Sequence, residues 1–202
     1  MSPRRAALTG LAAAVFTASA VGARSRRVSL AEERTFRSVN DAPDALHLVV
    51  WPVMQMGSLG SVFVTAEILR RRHPNPRSAM VVAAAGTAVW GGIKLVKPLV
   101  GRGRPDALLS DVRVRGPAQT GLGYPSGHAA VSVTLGILAT RSPGARAVAL
   151  SAAVLTGLSR IYVGAHLPLD VLGGFAAGCV VGLATDQTMT PVKDKMHDSW
   201  PG

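Results

Sequence analysis

The stretch GLSRIYVGAHLPLDVLGG, Gly157 to Gly174, places Arg160, His166 and Asp170 between two apolar runs. His166 and Asp170 are four residues apart, the separation at which two side chains share one face of a helix. Pro168 fits the first turn of a helix and drives the preceding residue toward an extended conformation. The stretch is therefore predicted to be a turn between two helices, with His166 just before the second helix and Asp170 on its first turn.

The whole chain combines a hydrophobic composition with a strong positive charge. Of its 202 residues 48% are hydrophobic, and 22 Lys and Arg against 11 Asp and Glu leave a formal charge of +11. Apolar runs that alternate with basic connectors are typical of a protein that crosses the membrane several times. A nucleic-acid-binding protein is not favoured, because aromatic residues are only 4% and the arginines do not line one amphipathic face.

Six segments approach the roughly 20 apolar residues that a helix needs to cross a bilayer. They predict an all-α fold, a multi-spanning membrane helical bundle with about six transmembrane helices. The segments lie at about residues 6–23, 45–69, 78–96, 128–140, 145–159 and 168–185. The second segment is expected to kink at Pro52. The first could equally be a cleaved signal peptide, because it follows Arg4 and Arg5 and ends in small residues.

The segments divide the chain into three parts. Residues 1–44 are predicted to form the first apolar helix, or signal peptide, and then a short helix at the membrane surface. Ser29 and Glu32 have the spacing of a capping box at the start of that short helix. Residues 45–185 form the helical core, and residues 186–202 form a polar C-terminal tail.

Two features of the last apolar segment indicate packing. Glycines recur there at every fourth position, a ridge of small residues that allows another helix to approach closely; they are Gly174, Gly178 and Gly182. Cys179 is the single cysteine of the chain, which excludes a disulfide or a Cys-based zinc site within one chain. We expect it to be a small packing residue.

Alternate connectors of such a bundle lie on opposite sides of the membrane, and this count brings most of the unusual polar residues to one side. They come from the ends of four segments and are Lys97, Arg102, Arg104, Ser126, His128, Arg160, His166 and Asp170. The opposite side has ten Lys and Arg residues, against seven beyond this cluster on the cluster's own side. The positive-inside rule therefore favours cytoplasmic termini and an extracytoplasmic cluster.

The cluster contains groups that bind phosphate. Ionisable groups at membrane depth cost at least ~2.5 kcal/mol each, so they rarely occur without a partner or a task. Arginine supplies paired donors that fit a phosphate, and lysine adds a point charge. Ser126 follows Pro125 and is a candidate N-cap, while Gly127 lets the backbone approach a ligand. The N–H groups at this helix start would then face an anion.

The same cluster contains groups that could react with phosphate. His128 lies on the first turn of its helix and could donate a proton to a leaving oxygen. Asp170 could accept a hydrogen bond from one ring nitrogen of His166 and leave the other free to attack phosphorus. This arrangement follows the logic of a catalytic triad, with histidine itself as the nucleophile.

Three separated motifs together closely resemble the signature of the type 2 phosphatidic acid phosphatase superfamily. They are Lys97-x6-Arg104-Pro105, Pro125-Ser126-Gly127-His128 and Ser159-Arg160-x5-His166-x3-Asp170, in this order. The resemblance covers about residues 45–185. It implies a six-helix core and metal-independent hydrolysis of a phosphomonoester or diphosphate through a phosphohistidine intermediate.

The resemblance also implies a role for each matching residue. His166 would be the nucleophile, Asp170 its orienting partner and His128 the general acid. The phosphoryl oxygens would be bound by Lys97, Arg104, Arg160, Ser126 and the backbone of Gly127. No metal or other cofactor is implied. Arg102 lies between signature positions and is expected to be no more than a helper.

The sequence therefore predicts an integral phosphatase of the cell membrane that acts on a lipid phosphate at the outer membrane surface. Membrane lipids and the lipid substrate are its expected partners, without nucleic acid, and the sequence leaves the oligomeric state open. Candidate substrates are phosphatidic acid, phosphatidylglycerophosphate, polyprenyl phosphates or diphosphates, and a prenyl-linked sugar phosphate. Two alternatives stay open: a phosphotransferase that uses the same intermediate, and a non-enzymatic transporter or structural protein with an anion site.

Overall fold

The computed structural model of the protein describes residues 2–25, 27–117 and 119–189. Within these ranges the chain has nine α-helices, a 3-10 helix at Asp44–Leu46 and no strand, which confirms the all-α prediction. Most of the predicted polar tail, residues 190–202, lies outside the described residues. The helices are α1 (Pro3–Arg24), α2 (Leu30–Asn40), α3 (His47–Gln55), α4 (Leu59–Arg72), α5 (Arg77–Val100), α6 (Pro105–Leu108), α7 (Gly127–Leu138), α8 (Pro143–Tyr162) and α9 (Pro168–Met189).

Helix α7 lies at the centre of the bundle. Every residue from Ala129 to Leu138 is buried, and α4, α5, α8 and α9 all pack against this helix. Its 12 residues span only about 18 Å, less than the ~30 Å hydrocarbon core of a bilayer. Neighbouring helices therefore surround α7, and its first turn is held in place by the rest of the fold.

The glycine ridge of α9 is the surface that meets α7. A Cβ atom on Gly178 would clash with the carbonyl oxygen of Ala130, so the two backbones approach as closely as glycine allows. Gly174 and Gly182 face α7 in the same way. The packing role predicted for the ridge is thus confirmed.

The second apolar segment is not one helix with a kink at Pro52, so that prediction was wrong. Pro52 lies inside α3, and the break falls at residues 56–58, where α3 and α4 bend by 57°. Ser58 is the N-cap residue of α4, and its hydroxyl accepts the backbone N–H of Ser61. Gly57 packs so tightly that a Cβ atom there would clash with the carbonyl oxygen of His128. The N-cap at Ser58 and the close contact of Gly57 with α7 therefore determine where the helix breaks.

The N-terminal helices pack onto the core. Helix α1 lies along α9, and the hydroxyl oxygen of Ser19 is 2.9 Å from the hydroxyl oxygen of Tyr124. At the other end of α1, Arg5 pairs with the buried Asp186 of α9 at 2.8 Å. Helix α2 buries Phe36 in a cluster with side chains of α7, α8 and α9. Helix α1 thus contacts the last turns of α9, and α2 contacts its first turn.

Three helical segments are long and apolar enough to cross a membrane, namely α1, the segment Arg77–Leu108 that contains α5, and α9. The bent pair of α3 and α4 would make a fourth. In the part of the chain that is described, the expected count of six is not confirmed and stays a prediction. Large apolar side chains point outward from several helices, as a lipid environment requires; Leu48, Leu95 and Val148 are each more than 70% exposed.

Candidate active site

The eight residues predicted to form the site lie at one end of the bundle, where α5 and α8 end and α7 and α9 begin. Hydrogen bonds join these helix ends: Lys97 donates to the carbonyl of Gly123 at 2.9 Å, and the backbone N–H of Ser126 donates to the carbonyl of Asp170 at 2.8 Å. The eight residues are Lys97, Arg104, Ser126, Gly127, His128, Arg160, His166 and Asp170.

His166 and Asp170 face each other in a buried pair. Pro168 is the first residue of α9, as predicted, so Asp170 lies on the first turn. Atom Nδ1 of His166 is 3.5 Å from Oδ2 of Asp170, which is within ion-pair distance but long for a hydrogen bond. That oxygen accepts a hydrogen bond from the backbone N–H of Leu167 at 2.9 Å instead. The predicted His166–Asp170 hydrogen bond is therefore not made in this structure, although the two groups are adjacent.

The surroundings of His166 favour a neutral imidazole. Its side chain is only 4% exposed. Burial, followed by the positive charges of Arg160, Lys97 and Arg104, holds the pKa of the His166 imidazole well below its ordinary value. A neutral ring has a free nitrogen lone pair, which is the form that a nucleophilic histidine requires.

The three basic residues of the site carry positive charge that nearby carboxylates do not neutralise. Lys97 donates to the carbonyls of Leu122 and Gly123, at 2.8 and 2.9 Å, and Arg104 donates to the carbonyl of Ala165 at 2.8 Å. Among the described residues, no carboxylate lies within ion-pair distance of Lys97, Arg104 or Arg160. Such a concentration of unneutralised cations is suited to an anion with more than one negative charge.

Arg160 and Ser126 both have buried polar atoms without a partner. Atom Nε of Arg160 and Oγ of Ser126 make no hydrogen bond within the described part of the chain. Ser126 is the N-cap residue of α7 as predicted, but its hydroxyl does not cap the helix. Buried polar groups normally have partners, so these two atoms are available to a ligand. The N–H groups at the start of α7 would serve the same anion.

A cavity of about 200 Å³ opens at this end of the bundle. Three predicted residues line it, Arg104, His128 and Arg160, together with polar and aromatic side chains that include Trp51, Gln55 and Gln119. The wall of the cavity does not include Lys97, Ser126, His166 or Asp170. It does include Ala165, the residue that precedes His166. The cavity therefore brings together Arg104 and Arg160, two of the cations expected to bind phosphate, and His128, the expected general acid.

Arg102, which lies between signature positions, pairs with two carboxylates and does not join the three unpaired cations. Its side chain is fully buried and pairs with Glu32 at 2.6 Å and with Asp170 at 3.1 Å. Ser29 caps α2 as predicted, by accepting the N–H of Glu32 at 3.2 Å, but the carboxylate of Glu32 does not complete the capping box. Sequence reasoning missed this pair, because a buried arginine requires a carboxylate but nothing in the motif says which one.

The part of the chain that the structure describes contains no group of three or more His, Cys, Asp or Glu residues that could hold a metal ion.

Comparisons with known proteins give a consistent result. A family model described as the PAP2 superfamily matches residues 76–193, more than half of the chain, including all eight predicted residues. The chain is also 33% identical over 141 residues to decaprenylphosphoryl-5-phosphoribose phosphatase of Mycobacterium tuberculosis. That alignment covers 69% of this chain and 72% of the mycobacterial protein.

Two crystal structures share the fold. A transmembrane PAP2-type phosphatidylglycerolphosphate phosphatase from Bacillus subtilis superposes with a TM-score of 0.72 at 18% identity and covers 93% of this chain and 98% of its own. LpxE of Aquifex aeolicus superposes with a TM-score of 0.68 at 24% identity and covers 76% of this chain and 93% of its own. The chain therefore has the same helical fold as these two proteins.

Proposed function

Because the chain belongs to the PAP2 superfamily, we propose that it is an integral membrane phosphatase that hydrolyses a lipid phosphomonoester or diphosphate. The observation that carries this proposal is that three cations without a carboxylate partner lie at the same end of the bundle as a buried histidine, His166, whose Nδ1 is 3.5 Å from a carboxylate oxygen of Asp170. Cations alone would suit a transporter, but a buried imidazole next to a carboxylate adds a nucleophile.

The reaction takes place in two steps. In the first, Nε2 of His166 attacks phosphorus, the bond from phosphorus to the lipid oxygen breaks, and His128 donates a proton to that oxygen. Attack falls to Nε2 because Nδ1 faces Asp170. In the second step His128 accepts a proton from water, the water oxygen attacks the phosphohistidine, and the bond from phosphorus to nitrogen breaks. Inorganic phosphate leaves, and His166 is free again.

The cations supply the charge stabilisation. Lys97, Arg104 and Arg160 bind the phosphoryl oxygens, and the hydroxyl of Ser126 and the N–H of Gly127 donate to the same group. A Cβ atom on Gly127 would meet only Ile93, at 3.8 Å, so there is space beside its backbone. Because these donors offset the charge of the dianion and its transition state, the reaction needs no bound metal.

We propose a polyprenyl-linked phosphate as the substrate class. The mycobacterial relative is named for a decaprenyl-linked phosphoribose, and the cavity that Arg104 and Arg160 line also has the polar side chains Gln55 and Gln119, which could bind a hydroxylated headgroup. The positive-inside count supports a site on the extracytoplasmic side of the cell membrane. Residues 45–185 would form the phosphatase core, and residues 1–44 would pack onto it.

The test is phosphate release by purified protein in detergent, with EDTA present. A polyprenyl phosphate, a polyprenyl-linked sugar phosphate, phosphatidic acid and phosphatidylglycerophosphate are offered to the wild type and to His166→Asn. We expect the wild type to release phosphate from the prenyl-linked lipids and the variant to release none. Equal release by the variant, or activity that EDTA abolishes and Mg²⁺ restores, would contradict the mechanism. Transfer of phosphate to an added alcohol would identify a phosphotransferase.

A further inference from the structure

Glu32 and Arg102 form a buried, two-pronged ion pair between the N-terminal helix α2 and the loop after α5. Atoms Nη1 and Nη2 of Arg102 donate to Oε1 and Oε2 of Glu32, at 3.0 and 2.6 Å. The Arg102 side chain is 0% exposed and the Glu32 side chain 6%. This paired geometry is the strongest form of contact between arginine and a carboxylate, and it fixes both side chains.

The pair is attached directly to the catalytic end of α9. Nη1 of Arg102 also donates to Oδ1 of Asp170 at 3.1 Å, and Oε1 of Glu32 accepts the backbone N–H of Leu169 at 3.0 Å. Glu32 thus binds the residue before Asp170 as well as the guanidinium that holds Asp170. The contacts continue to His166, whose Nδ1 lies 3.5 Å from the second oxygen of Asp170.

Both oxygens of Asp170 are therefore occupied from fixed positions. Arg102 holds Oδ1, and the backbone N–H of Leu167 holds Oδ2 on the side that faces His166. With both oxygens held, the plane of the carboxylate is set, and so is the direction from which it meets the imidazole. A misplacement of about 1 Å at a reacting group can cost on the order of 100-fold in rate, so this orientation has consequences for catalysis.

We propose that Glu32 and Arg102 are positioning residues for the nucleophile: Glu32 on α2 fixes Arg102, and Arg102 fixes the carboxylate of Asp170 that orients His166. The proposal rests on the proposed function, because it concerns the same histidine. It extends the catalytic machinery to a helix outside residues 76–193, the range that the family model matches. Helix α2 is then part of the site and not only a helix at the membrane surface.

The test compares Glu32→Gln with Glu33→Gln. The two residues are neighbours on α2, and both variants remove one negative charge, but Glu33 is partly exposed and pairs with Arg37 of the same helix. We expect Glu32→Gln to lower kcat about 10- to 100-fold with KM within about twofold, and Glu33→Gln to leave both unchanged. Wild-type and Glu33→Gln turnover report on the proposed function, whereas the ratio between the variants reports on positioning. Equal kcat for the two variants would overturn the proposal.

A purely structural role for Glu32 predicts a different pattern in a double-mutant cycle with Asp170→Asn. If Glu32 acts through Asp170, adding Glu32→Gln to Asp170→Asn lowers kcat less than about twofold further, because the route to His166 is already cut. Independent, multiplicative losses of kcat would contradict the proposal.

Loss of stability has its own control. Asp186→Asn removes a buried carboxylate at the other end of α9, where Arg5 and Arg146 contact it. We expect it to lower Tm without the loss of kcat seen for Glu32→Gln. If Glu32→Gln cannot be obtained folded, Glu32→Asp, which keeps the charge and shortens its reach, replaces it with the same expected direction. Wild-type kcat in Glu32→Asp would then overturn the proposal.

Discussion

Gly57, at the break between α3 and α4, lies directly against the carbonyl oxygen of His128 on the first turn of α7. A Cβ atom at this position would clash with that oxygen and would also lie 2.8 Å from Cγ2 of Thr156 on α8. Both neighbours belong to buried parts of the bundle, and one of them is backbone, so neither can move cheaply. The break between α3 and α4 thus helps to set the position of His128.

Gly57→Ala is therefore expected to shift the first turn of α7 and to reduce both activity and stability. Overpacking of this kind costs about 1–3 kcal/mol, and a displaced His128 donates its proton less well. The measurements are kcat and Tm of the purified variant. Gly60→Ala is the matched control on α4, because its Cβ atom would meet only the Ser58 hydroxyl, at an ordinary 3.5 Å. Equal kcat and Tm for the two variants would show that the contact does not matter.

The parts of the fold that depend on local sequence could be predicted. Apolar length marked most of the helices, and Pro168 fixed the turn before α9 because proline is restricted by its own ring. The three motifs also named eight residues that the structure brings to one end of the bundle, since each motif lies at a helix end. The packing role of the glycine ridge could also be predicted, because glycines at every fourth position lie on one face of a helix.

The parts of the fold that depend on contacts between residues far apart in the sequence could not be predicted. The break at residues 56–58 follows from contact of Gly57 with α7, which hydropathy along the chain does not record. Glu32 and Arg102 are 70 residues apart in sequence, and their pairing exists only because α2 packs where α9 begins. The capping-box spacing suggested only a local role for Glu32, at the start of α2, and did not indicate its pairing with Arg102.

Arg160→Lys tests the anion site. Lysine keeps the positive charge but cannot bind a phosphate through two parallel N–H groups, so one charged hydrogen bond is lost. Such a bond contributes about 1.5–3 kcal/mol, which corresponds to a fall in kcat/KM of roughly 10- to 150-fold. Arg71→Lys is the control, since Arg71 is 75% exposed and pairs with Glu67. If Arg160→Lys hydrolysed lipid phosphate as well as Arg71→Lys does, Arg160 would not bind the phosphoryl group.

The ionisation of His166 can be measured directly by NMR of protein labelled with ¹⁵N-histidine, with His166→Asn to assign the signal. Burial and the nearby cations disfavour the imidazolium, so the pKa of His166 should lie below 6.5 and the ring should be neutral at that pH. As the pH falls below about 6.5, the unfolded chain takes up a proton at this histidine and the folded protein does not. His166 therefore lowers the free energy of unfolding as the pH falls below about 6.5. A titration midpoint at or above 6.5 would contradict the assigned environment.

The most direct test of the account is to trap the phosphoenzyme. Wild type, His128→Ala and His166→Ala are mixed with a ³²P-labelled phosphate ester that has a good leaving group, quenched in alkali, and analysed for phosphohistidine. Because such a leaving group does not need the general acid, we predict that the wild type and His128→Ala acquire label and that His166→Ala acquires none. Label on His166→Ala, at another histidine or elsewhere, would remove His166 from the place of the nucleophile.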